Sequence, residues 1–128
     1  MQKAIPLIAF DALAGLIVGL ATFALAGYLP LWYGWSLGFL VFMAAANVLY
    51  GCYSATLWFR CKGSQKISRT MVLFLIIANG LWSVHCVFQI WRLFEAATFF
   101  GLAHIGLEAL FVGGLALVEA RVILPVAE

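Results

Sequence analysis

The chain has 128 residues, 66% of them hydrophobic and only 9% charged. Water-soluble domains sit nearer half apolar and a quarter charged, so a soluble fold is excluded. The formal net charge of +2 needs no nucleic-acid partner, because the basic residues gather in short connections. The sequence instead reads as an all-α integral membrane protein, one domain of four transmembrane helices joined by short loops.

Four apolar stretches, over residues 4–27, 35–59, 70–91 and 98–122, are each about 20 residues or longer, enough to cross a hydrocarbon core of ~30 Å as a helix. The first follows Lys3 and contains Asp11. Its length and that acid point to a retained span and not a cleaved signal segment. The first connection carries Tyr28, Pro30, Trp32, Tyr33, Gly34 and Trp35, and reads as an interfacial aromatic belt. Trp58, Phe59 and Trp91 mark other span ends in the same way.

The second connection holds Arg60, Lys62, Lys66 and Arg69, and Lys3 and Arg121 fall on the same side. Only Arg92, beside Glu95, falls opposite. Short-loop Lys/Arg bias places the rich side in the cytoplasm, so the expectation is cytoplasmic termini in a bacterial inner membrane. Contact of that loop with anionic lipid headgroups fits the same charges. Cys61 lies on the side where thiols stay reduced, and Cys52 and Cys86 lie within spans, so no disulfide framework is expected.

The second and third spans read as copies at an offset of 32 residues. Phe42, Ala46, Asn47, Leu49 and Arg60 correspond to Phe74, Ala78, Asn79, Leu81 and Arg92, while Tyr50 corresponds to Trp82 and Ser54 to Cys86. Inverted repeats with a site at their interface are a transporter habit. The first and fourth spans carry small-residue stripes instead: Ala12, Gly15, Gly19, Thr22 and Ala26, and Gly106, Ala109, Gly113, Ala116 and Ala120. Such stripes permit close helix approach in lipid. On the fourth span the stripe points well away from His104 and Glu108, which suggests that it faces lipid or a second copy in a homodimer.

His104 and Glu108 are the leading site candidates. Four residues apart, they share one helix face, and ionisable groups in hydrocarbon are costly unless paired or wetted. Folding the chain at its connections, at 1.5 Å per helical residue, sets His85 level with His104 and brings Asn47 and Asn79 near Glu108. Asp11, Tyr50, Trp82 and Ser83 complete a belt. The bland alternative makes the His/Glu pair and the asparagines interhelical glue, with Tyr50 and Trp82 as core filling.

Four functions fit this belt. In the first, Glu108, His104 and His85 exchange a proton with a small hydrophobic or amphipathic ligand, held by Asn47, Asn79, Tyr50, Trp82 and Asp11, as an isomerase would. Residues 104–112 (HIGLEALFV) and 79–82 (NGLW) resemble pieces of the emopamil-binding sterol-isomerase family. That family uses a His/Glu helix and an Asn/Trp helix around its ligand cavity; here the two helices come in the opposite order. The second function is a small dimeric transporter with Asp11 or Glu108 as its proton or cation site. The third joins His85, His104 and Glu108 at a metal or haem, but the expectation is no metal and no cofactor. The fourth is an accessory subunit without a site of its own.

Overall fold

The computed structural model describes residues 3–64 and 66–128. Within them the chain is helical: α1 (Ala4–Ala24), a five-residue α2 (Leu29–Tyr33), α3 (Leu37–Ser64), α4 (Arg69–Leu93) and α5 (Phe99–Val122), followed by a short 3-10 turn at Leu124–Val126. Four of these helices are long and apolar enough to span a membrane. The expected spans agree with them to within a few residues, except that α3 runs on through the basic segment to Ser64. Nothing in that segment stops it, since Arg and Lys are good helix formers.

The helix starts follow capping chemistry. The Ser68 side chain accepts from the Met71 N–H, and that of Thr98 from the Gly101 N–H, meeting backbone donors that have no partner inside the helix. Gly34 takes φ 66°, a left-handed value that ends α2 and that glycine adopts without steric cost. The turn then docks on the α4–α5 connection, where Thr98 N–H donates to Tyr33 O at 2.9 Å and Thr98 Oγ1 to Trp32 O at 2.5 Å.

The bundle consists of two tight pairs, α1 against α3 and α4 against α5. In the first pair Gly15 and Gly51 bring two backbones together; a Cβ added at Gly51 would sit 2.6 Å from Leu16 N. The α5 stripe does the same job in the second pair, with Gly113 against the Ser83 side chain and Ala109 and Ala116 buried. Both stripes are therefore used inside the chain, which corrects the expectation that the α5 stripe is left for lipid or a second copy. A helix in a bundle has neighbours on two sides, so two faces more than 90° apart can both be internal.

Between the pairs α3 and α4 stand further apart, and tyrosines bridge the gap: Tyr50 donates to Ala78 O at 2.6 Å and Tyr53 to Met71 O at 3.0 Å. Two apolar cores close the bundle. One, around Ile8, Leu57, Leu75 and Ile123, lies toward the termini; the other, around Trp35, Leu40, Met43 and Ile105, lies toward α2. The polar side chains occupy the layers between them.

Candidate functional site

A cavity of about 390 Å³ opens between the two helix pairs, with walls from all four long helices. Asp11, Asn47, Tyr50, Asn79, Trp82, His104 and Glu108 supply its polar lining. Val18, Leu107, Phe111 and Val112 supply much of the rest. Seven of the eight expected site residues thus meet at one cavity. Its size and mostly apolar lining with a few convergent polar groups fit a small-molecule site.

Glu108 is its centre, with only 8% of its surface exposed. Its Oε1 accepts from Trp82 Nε1 at 2.7 Å and from Asn47 Nδ2 at 2.8 Å. Asn47 is itself fixed, because its amide also donates to Met43 O at 3.0 Å. Glu108 Oε2 lies 3.2 Å from His104 Nε2 but accepts no well-aligned hydrogen bond. One carboxylate oxygen is held by two donors and the other is buried with only the His104 imidazole beside it.

His104 is oriented from the far side. Tyr33 Oη lies 3.1 Å from its Nδ1, and the rings of Tyr33 and Trp35 meet the imidazole edge-on at 5.3 Å. A carboxylate beside Nε2 favours a proton on that nitrogen, leaving Nδ1 to accept from the Tyr33 hydroxyl. Trp35 is 4% exposed and Tyr33 half-buried, so these two belong to the site's roof. Tyr28 and Trp32 are exposed, whereas Tyr33 and Trp35 turn inward, which corrects their reading as part of an interfacial belt. The short α2 turns their rings inward over α5.

His85 departs from expectation. It does not line the cavity; it stacks on Trp82 at 4.8 Å, touches Phe42 edge-on at 5.6 Å, and its Nε2 lies 3.4 Å from Gln89 Nε2. Level depth did not bring it to His104, because the rotation of α4 about its axis carries the ring outside the cavity. Among the described residues, no three His, Cys, Asp or Glu side chains gather as a metal site would require.

A second polar layer lies toward the termini, about 16 Å along α5 from Glu108 at ~1.5 Å per residue. Glu119 is fully buried and its Oε2 accepts from Asn79 Nδ2 at 3.1 Å. Asp11, 8% exposed, accepts from the Ser54 hydroxyl. Glu119 is not among the expected site residues. Its signal was present, since eleven residues make about three turns and set it on the face of Glu108; its place beside Arg121 at a span end hid it.

Compared with known families, curated proteins and solved structures, the chain matches none. The likeness to sterol isomerases thus stays confined to the two short motifs.

Proposed function

We propose that the protein binds a small amphipathic molecule within the membrane, with Glu108 and His104 meeting its polar end and able to exchange a proton with it. The observation that carries this reading is the asymmetry of the Glu108 carboxylate. Oε1 is locked by Trp82 and Asn47, while Oε2 is buried beside His104 without an aligned donor of its own, and both residues line the cavity. A group placed within hydrogen-bond reach of a carboxylate–imidazole couple is positioned for general acid–base chemistry. The hydrocarbon part would lie against Val18, Leu107 and Phe111. In the same reading the basic α3–α4 connection and both termini face the cytoplasm, in a bacterial inner membrane.

The test uses purified protein in detergent, screened by thermal shift against sterols, isoprenoid alcohols and long-chain amines. A binder should stabilise the protein by about 3 kcal/mol at a hundredfold excess over Kd, and lose that effect in Glu108→Gln. Equal stabilisation of both proteins would sink the proposal. Incubation of the binder in heavy water, with mass spectrometry for deuterium, then separates binding from proton transfer.

A further inference from the structure

We infer that Asp11 and Glu119 form a proton-binding site, separate from Glu108, at the end of the cavity nearer the termini. Two acidic side chains are buried there with only neutral partners: Ser54 to Asp11, and Asn79 to Glu119. Among the described residues the ion pairs are Lys66–Glu128 and His104–Glu108, so neither acid of this layer meets a cation. The polar groups of this end of the bundle are Asp11 on α1, Tyr50 and Ser54 on α3, Asn79 on α4 and Glu119 on α5. None supplies positive charge.

Two buried ionised carboxylates met only by neutral donors carry a desolvation cost that those donors do not offset. One proton removes that conflict, and the unpartnered oxygen of this layer points to where it sits. Three of the four carboxylate positions in question are accounted for: Asp11 opens on the cavity and holds the Ser54 hydroxyl, and Glu119 Oε2 holds the Asn79 amide. Glu119 Oε1 is buried without any hydrogen-bond partner. An acceptor in that situation is a costly orphan as a carboxylate oxygen, whereas as the O–H of a carboxylic acid it removes a buried charge. Glu119 is thus the seat of the proton, and its partner Asn79, which lines the cavity together with Asp11, joins it to that space. The site does not depend on what occupies the cavity or on the role of Glu108.

Infrared spectroscopy of the protein, reconstituted in lipid and compared in light and heavy water, tests this. At neutral pH the wild type should show the carbonyl stretch of a protonated carboxylic acid, shifting on deuteration. Glu119→Gln should abolish the band, and Glu108→Gln should leave it. No band in the wild type, a band lost only with Glu108→Gln, or a band that survives Glu119→Gln would each overturn the assignment. Gln is the neutral isostere of the protonated acid, so the variant should fold with unchanged helicity and thermal stability; a Glu119→Gln protein that does not fold overturns it as well. These outcomes are separable from the amphiphile screen, which reads Glu108.

Discussion

The two glutamates of α5 occupy the same helix face, and each is met by an asparagine from one of two helices that read as copies: Asn47 donates to Glu108 and Asn79 to Glu119. What differs is the rest of the surroundings. Glu108 adds an indole N–H and a histidine, so groups from three helices surround its carboxylate. Glu119 adds no further donor, and its Oε1 is buried without a partner. For a buried carboxylate, the number and charge of neighbouring donors decide how firmly it is held.

Breaking the better-satisfied side should have the largest effect. Glu108→Ala leaves the Trp82 indole and the Asn47 amide without their acceptor, a loss of about 3 kcal/mol for buried donors left unpaired. Denaturation in mixed detergent would measure it. Trp82→Phe keeps the ring against Tyr50 and His85 but removes one donor to a charged acceptor, with an expected cost of about 1.5 kcal/mol and weaker response in the amphiphile screen. A Trp82→Phe protein as stable as wild type would mean that the 2.7 Å bond to Glu108 does not hold the site together.

The other side should behave oppositely. Glu119→Gln retains an acceptor for Asn79 and removes an acid from a layer that has no cation, so stability should stay within about 1 kcal/mol of wild type. Glu108→Gln, the same chemical change eleven residues earlier, should cost more, because it places an amide where three donors converge. If the two substitutions cost the same, the distinction between the layers fails.

Much of this was legible in the sequence. Hydrophobic run lengths gave the four long helices, and counting depth from the connections gathered Asn47, Asn79, Trp82 and Glu108 in one region. Depth, however, is a coordinate along the helix, and contacts also need rotation about it. Rotation separated His85 from His104, and it turned Tyr33 and Trp35 inward from a connection whose composition reads as interface. The α5 stripe was misread for a related reason. A wheel shows two faces apart, but not that α4 covers one while the cavity and α1 cover the other. Glu119 escaped because position near a span end suggests hydration, whereas Ile123 and the terminal core bury that end of α5.

The smallest expected effect concerns His85, and it sharpens the boundary of the site. Its ring stacks on Trp82 at an interplanar angle of 24°, on the side of the indole away from the cavity lining. Replacing it with Leu keeps an apolar body against Trp82 and forfeits a stacking contact of about 1 kcal/mol or less. Thermal stability should fall by at most that amount, and the amphiphile response and deuterium exchange should be unchanged. Loss of exchange in His85→Leu with stability intact would bring His85 back as a proton relay reached through Trp82. It would also move the edge of the site from the indole to the imidazole behind it.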